Sequence, residues 1–269
     1  MTTVQELYGE LWAKESGLQR ELARSLEPRG TDSLYDVFAS LEPRPGEVVL
    51  DAGCRDATYA IELVRRHELR AIAVDPVPHH VELARREVAA AGLEDAVDVR
   101  EGAIEELPVA DASVDWIWCR DVLVHVVLEP GLAECARVLR PGGRMLVYAT
   151  LATPLLEPQE AALLARGSAI VRASTDPAEL ERVAARSGLD VVSVDRLEGE
   201  WRERMIEEGS WDPREDLLLL SRLRRRYDEL VDEHGITEVE VETVSALWGI
   251  YQLLGKLCPT IYVLERNHA

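Results

Sequence analysis

Residues 48–57, Val-Val-Leu-Asp-Ala-Gly-Cys-Arg-Asp-Ala, join an apolar strand, an acid at its end and a glycine turn that opens toward a helix. Such a turn lets backbone N–H groups approach a nucleotide-type ligand, and small residues are needed for that approach. Gly53 meets the need. Arg55 and Ala57 stand where two further glycines would be expected. A second acid, Asp75, ends the apolar run Ala-Ile-Ala-Val-Asp roughly 20 residues after the turn, the spacing at which a carboxylate chelates a ribose diol. A helix cap is the alternative role for Asp75. His125 adds an imidazole, the side chain suited to moving a proton near neutral pH.

Those residues need one sheet edge to hold them, and the surrounding pattern builds one. Apolar runs predict strands at 48–52, 70–75, 96–100, 114–119, 144–151, 190–197 and 260–265. Helices are expected near 56–67, at 79–91 ending at Gly92, and from the fourth strand to Leu139 with a break at Pro130-Gly131. Two more are expected at 155–170 and, opened by Asp176-Pro177, at 177–187. Strand–helix alternation of this kind gives an α/β fold: a Rossmann-like, doubly wound, seven-stranded and mostly parallel sheet. Val4, Leu7, Leu11, Leu18, Leu22 and Leu26 have helical spacing, so 1–42 reads as an N-terminal helical cap. Residues 43–199 and 257–269 are expected to form the core, and 200–256 a helical insertion before the last strand, placed to act as a substrate lid. Two apolar stripes are expected in that insertion. One runs through Leu217, Leu220, Leu223 or Arg224, Tyr227 and Leu230, the other through Val244, Leu247, Trp248, Tyr251 and Leu254.

The set of motifs between 48 and 151 resembles the class I S-adenosylmethionine-dependent methyltransferases of the small-molecule type, with a ubiquinone-biosynthesis-like core. The matching stretches are Val49-Leu50-Asp51-Ala52-Gly53-Cys54, Val74-Asp75, Glu101-Gly102-Ala103-Ile104-Glu105-Glu106-Leu107-Pro108, Asp111-Ala112-Ser113-Val114-Asp115-Trp116, Asp121-Val122-Leu123-Val124-His125-Val126 and Ala136-Arg137-Val138-Leu139-Arg140-Pro141-Gly142-Gly143. They occur in the family's order. The resemblance implies S-adenosylmethionine as cofactor and S-adenosylhomocysteine as product. It implies that Asp51 and Gly53 hold the methionine end and that Asp75, followed by Pro76, holds the ribose. Ala103 occupies a position that often carries an adenine-binding acid, with Glu101 and Glu105 as substitutes, and Ile104 packs on the adenine. Arg120 lies beside the cofactor. Arg55 either points away or pairs with the cofactor's carboxylate. His125 matches a position near the transferred methyl and is the expected base. Asp121 is a substrate contact or a helix cap. Tyr8, Trp12, Trp201, Trp248 and Tyr251 are candidate substrate-side aromatics, with core packing as the alternative.

Bulk properties narrow the partners. The 269 residues carry a formal charge of −20, which disfavours nucleic acid, since phosphate binding leans on clustered Lys and Arg. No apolar run approaches the length of a membrane span, and the start of the chain has no secretory pattern, so a cytoplasmic protein is expected. Cys54, Cys119, Cys135 and Cys258 form no C-x-x-C pair and read as buried thiols. His79 and His80 are adjacent and suggest no metal site. The expectation is a bacterial enzyme that methylates a small molecule, as in specialised metabolism, with a homodimer kept open. Arg55, Ala57 and Ala103 motivate the alternatives: a related protein without methyl transfer, such as a cyclase, or a binding and dimerisation module.

Overall fold

Among the described residues, the apolar runs pair into one seven-stranded sheet. Its strands are β1 Val48–Ala52, β2 Arg70–Asp75, β3 Val97–Glu101, β4 Val114–Arg120, β5 Leu139–Ala152, β6 Leu189–Arg196 and β7 Leu257–Arg266. The spatial order is β3-β2-β1-β4-β5-β7-β6. β7 runs antiparallel to β5 and β6, and the other pairings are parallel. This computed structural model describes residues 2–11 and 17–268, with backbone only for Glu10 and Leu11.

The helices are α1 Gly17–Leu22, α2 Ser33–Ser40, α3 Thr58–His67, α4 Pro78–Ala91, α5 Leu128–Val138, α6 Pro158–Gly167 and α7 Pro177–Arg186, then α8 Glu200–Glu207, α9 Pro213–Arg225, α10 Tyr227–His234 and α11 Ile236–Leu253 between β6 and β7. Local chemistry sets their ends. Gly92 takes φ +67° to close α4. Asp176 accepts from the Ala178 N–H, and Pro177 opens α7 without losing a helical donor. Asp212 and Pro213 repeat the device on α9.

Alternation along each central strand divides the core between two faces. Leu50, Ala52, Ile117 and Cys119 face α5 and α7. Val49, Trp116 and Trp118 face α2, α3 and α4. Trp118 is fully buried, with Tyr35 and Tyr59 stacked on it at 5.2 and 5.7 Å. A third cluster, including Leu164, Val244 and Tyr251, ties α6 and α11 to the start of β7. The four cysteines are buried free thiols.

The strand order reverses between β1 and β4, which places their carboxyl ends side by side, with Ala52 opposite Cys119. Ligands bind at such a switch point in open α/β sheets.

Three expectations are corrected. The helix after β4 is not broken at Pro130. A 3₁₀ turn, Leu123–His125, precedes α5, and Pro130 falls in the first turn of α5, where a missing N–H leaves no bond unmade. The N-terminal helical stretch is π-helical over Glu6–Leu11 and ends with α1 at Leu22, short of Leu26; residues 12–16 lie outside the description. Val4, Leu18, Leu22 and Leu26 are exposed. Of the two apolar stripes, Val244 and Tyr251 on α11 are buried, whereas α9 buries no residue although it packs against α11.

Candidate active site

The turn after β1 is held by the neighbouring strand. The N–H groups of Gly53 and Cys54 both donate to Val74 O, at 2.8 and 3.0 Å. Gly53 has φ +79°, and a Cβ there would lie 2.3 Å from Val122 Cγ2. Only glycine satisfies both conditions. Arg55 and Ala57 take φ +50° and +59°, so the chain adopts glycine-type conformations without the glycines. The Arg55 side chain is exposed.

Asp51 is buried at the end of β1 and accepts from Ala60 N–H at 3.2 Å. Burial pushes its carboxyl up to about 7; the Ala60 hydrogen bond opposes this, and the negative Asp56 and Asp75 add to it. Asp75 ends β2 with both oxygens engaged. Oδ2 accepts from Arg55 N–H at 2.9 Å, while Oδ1 accepts from Val77 N–H and faces His80 Nδ1, each at 3.0 Å.

Beside these acids lies a narrow slot of about 50 Å³, walled by Gly53, Pro76, Ile104, Glu105, Val122 and Val126. The expected Pro76 and Ile104 are brought together there. Ala103 is not in the wall; it bridges to Glu106. Glu105 is in the wall. Val122, the side chain that packs against Gly53, gave no signal in the sequence.

At the end of β4, Asp121 has φ +55°, and its N–H donates to Tyr148 O at 2.8 Å. Thr150 Oγ1 donates to Asp121 Oδ1 at 3.3 Å. Burial pushes the Asp121 carboxyl up to about 6, against the pull of nearby Arg120 and the Thr150 bond. The Arg120 guanidinium lies over the Tyr59, Tyr148 and Trp201 rings at 4.8, 5.5 and 5.7 Å.

His125 is exposed on the 3₁₀ turn, and its Nδ1 lies 3.3 Å from Ala169 O. A carbonyl can only accept, so that contact selects the Nδ1–H tautomer and leaves Nε2 as a free acceptor. The segment it touches is latched to the same turn by Val171 N–H to Val124 O, 2.9 Å, and Ser174 Oγ to Val126 O, 2.7 Å. That segment also walls a cavity of about 630 Å³ beyond the end of β5, whose lining includes Thr153, Leu164, Ile170, Arg172 and Trp248.

The remaining aromatics separate. Trp248 faces the cavity. Tyr251 is buried under Lys256, whose Nζ lies 5.4 Å from its ring. Trp201 is core: it stacks on Tyr148 at 4.5 Å and 7°, and its Nε1 donates to Ser33 Oγ at 3.1 Å. Its amphipathic ring satisfied both readings in the sequence, and burial decides between them. Tyr8 is exposed, and Trp12 lies outside the described residues. No group of three potential metal ligands is present among the described residues, nor is any helix among them long and apolar enough to cross a membrane.

Known proteins resemble this chain in sequence and in fold. A family model described as a methyltransferase domain matches residues 50–147. A ubiquinone biosynthesis O-methyltransferase of Methylocella silvestris is 36% identical over 177 residues, 60% of this chain and 67% of that one. A 27-O-demethylrifamycin SV methyltransferase of Amycolatopsis mediterranei is 30% identical over 209 residues, 76% of this chain and 71% of that one. In fold, a putative sarcosine dimethylglycine methyltransferase from Galdieria sulphuraria aligns with a TM-score of 0.67 at 18% identity, over 88% of this chain and 85% of that one. With the switch-point turn, the acid-ended β2 and the antiparallel β7 in place, these likenesses decide the family: the chain belongs to the class I S-adenosylmethionine-dependent methyltransferases, and S-adenosylmethionine is its cofactor.

Proposed function

We propose that the chain methylates an oxygen or nitrogen atom of a small molecule seated between the β4 turn and the cavity beyond β5. The observation that carries this reading is the position of His125. Its turn is flanked by Val122 and Val126, which wall the slot beside Gly53. Its ring touches the segment whose Ile170 and Arg172 wall the cavity. His125 therefore stands at the junction of the two spaces that a cofactor and an acceptor need.

The residues around the turn suit the cofactor. Its methionine end carries an ammonium and a sulfonium, and Asp51, Asp56 and Asp75 put negative charge around the turn. Asp51 and Gly53 hold the methionine end, Asp75 the ribose, and the slot of Pro76 and Ile104 the adenine. When bound, the cofactor supplies a methyl group already activated by its sulfonium. What remains for the protein is alignment, an effect worth up to roughly 7–11 kcal/mol. The second task is the acceptor's proton. His125 takes it at Nε2 while Ala169 O fixes the ring. Asp121, tied to Thr150, orients the acceptor beside it. An oxygen acceptor is in keeping with the names of the two sequence relatives. The overall charge of −20 argues against a nucleic-acid acceptor.

Calorimetry with S-adenosylmethionine and S-adenosylhomocysteine is the first test, followed by a screen of hydroxylated and amino small molecules for S-adenosylhomocysteine release. Absence of binding by either nucleoside would remove this reading.

A further inference from the structure

The cavity beyond β5 is the space assigned above to the acceptor, and its wall limits what kind of molecule it can take. Its volume of about 630 Å³ is roughly four times the ~150 Å³ that holds one benzene ring. Most of the wall is hydrocarbon, with Leu156, Leu164, Ile170 and Leu257 coming from α6, its flanks and the start of β7. A sugar or a small amino acid buried there would lose its hydrogen bonds to water and find few in exchange. A small amine would also leave most of the space empty.

The polar side chains of the wall are mostly engaged within the protein. Thr153 Oγ1 donates to Gly255 O at 2.6 Å and accepts from Leu155 N–H at 3.2 Å. Thr175 Oγ1 donates to Arg172 O at 2.8 Å. Asp176 accepts from Ala178 N–H at 2.9 Å as the cap of α7, where the positive end of the helix offsets its charge. Two groups remain, and both are donors. Among the described residues, the Arg172 guanidinium has no hydrogen bond, ion pair or ring contact. Its backbone is nevertheless fixed, by Val171 N–H to Val124 O on one side and by Ser174 Oγ to Val126 O on the other. Trp116, Trp201 and Trp211 donate their Nε1–H to side chains. Trp248, partly buried in the cavity wall, has no such partner among the described residues.

Resting on the methyltransferase reading, we propose that the acceptor is a fused-ring compound carrying an acidic group, with its rings against the hydrocarbon wall and Trp248 and its acid on Arg172. A ligand that completes this wall brings apolar area and hydrogen-bond acceptors, not donors. The planar donor fork of Arg172 fits the two oxygens of an acid, and its charge has no counter-charge of its own. The indole face of Trp248 suits a flat ring. Arg172 follows directly on Val171, which is bonded to the β4 turn, so the acid lies on the His125 side of the cavity.

The test uses the full chain, loaded with S-adenosylhomocysteine, and the variants Arg172→Gln and Ala161→Trp, each first checked for a native thermal transition. Calorimetry compares naphthalene-2-carboxylate and anthracene-2-carboxylate with naphthalene-2-carboxamide, 2-naphthylmethylammonium and dimethylglycine. The acids should bind about five- to tenfold more tightly than the amide, with the gap narrowing as salt is added, and dimethylglycine should not bind. Arg172→Gln should close the gap and leave the affinity for the amide unchanged. Ala161 is a partly exposed wall residue on α6. Ala161→Trp fills the cavity and should weaken acid and amide alike; Ala161→Leu takes its place, with a smaller effect, if the tryptophan variant does not fold. S-adenosylhomocysteine should bind every variant as it binds wild type. Equal affinity for acid and amide, a preference for the ammonium, acid binding indifferent to the Ala161 variants, or no binding of either acid up to millimolar concentration overturns the proposal. Titration of the acids without the nucleoside separates the two readings. Acids that bind a protein unable to bind S-adenosylhomocysteine would count against the methyltransferase reading and leave the ligand class of the cavity standing.

Discussion

The backbone N–H of Arg55 donates to Asp75 Oδ2 at 2.9 Å, so the residue that replaces a glycine and the acid 20 positions later form one device. The bond needs the backbone of residue 55, not its side chain, which is exposed. The other Asp75 oxygen is fixed by Val77 N–H and His80 Nδ1. The carboxylate is thus held in one orientation at the carboxyl end of β2. The departure from glycine therefore shows in conformational energy, with the side chain turned to solvent. At φ +50°, a non-glycine residue pays roughly 1–2 kcal/mol.

Arg55→Gly is therefore expected to be neutral to stabilising. It relieves that strain but restores chain entropy to the unfolded state, for a net gain of about 0–1 kcal/mol. S-adenosylhomocysteine should bind as before. Denaturant unfolding and calorimetry check both statements. A large loss of affinity would show that the Arg55 side chain itself contacts the cofactor. Arg55→Pro should behave oppositely, losing about 3 kcal/mol or more, since proline lacks the N–H and cannot reach positive φ.

Gly53 allows no such freedom. Gly53→Ala drives a Cβ to within 2.3 Å of Val122 Cγ2 at φ +79°. Overpacking and left-handed strain together should cost about 2–4 kcal/mol. The variant should also lose cofactor binding, because the turn must move. Val122→Ala removes the clashing atoms, so the double variant should recover the packing share of the loss but not the strain. A double-mutant cycle in denaturant would read that coupling. Strict additivity would mean that the turn relaxes away from Val122.

The same pair shows how far the sequence could be read. The strands that carry Asp51 and Asp75 and the turn at Gly53 were legible because a strand, a turn and an acid follow one another within a short window. Val122 was not, since its role depends on β4 lying beside β1, a long-range fact. His80 looked like half of an uninformative histidine pair until α4 placed it against Asp75. Trp201 and Leu217 failed in opposite ways. Trp201 stacks in the core although its helix is strongly charged, and Leu217 is exposed although its stripe has helical spacing. Periodicity reports which residues share a face, but not whether another element covers that face.

The buried acids predict a pH dependence with a definite sign. Asp51 is raised from 3.8 to about 7, and Asp121 from 3.8 to about 6. A folded pKa above the unfolded one means that the native state holds the extra proton. The contribution of these two acids to the stability of the free protein should be full below about pH 4 and be lost as pH rises through about 6 to 7. Cofactor binding should run the other way. A cationic ligand favours ionised Asp51, so affinity rises with pH through about 7 and binding releases protons below it. Calorimetry in two buffers of different ionisation enthalpy measures that release. Asp51→Asn should flatten the stability profile and weaken binding at every pH. Proton uptake on binding would contradict this account.

His125 gives the sharpest test of the chemistry, because its role depends on what is methylated. A hydroxyl acceptor must shed a proton during transfer, whereas a neutral amine attacks first and sheds it afterwards. With a hydroxyl acceptor from the screen, His125→Gln should lower kcat about a hundredfold or more and leave S-adenosylhomocysteine affinity unchanged. With a neutral amine the loss should be small. Glutamine can still donate to Ala169 O but cannot take the proton, so the substitution separates catalysis from the latch between the β4 turn and residues 169–174. His125→Ala removes both functions and leaves room for free imidazole, which should restore part of the hydroxyl activity. If His125→Gln retains full turnover with a hydroxyl acceptor, His125 serves only as a latch. Asp121 is then the next residue to test as the base, and Asp121→Asn is the variant that reads it.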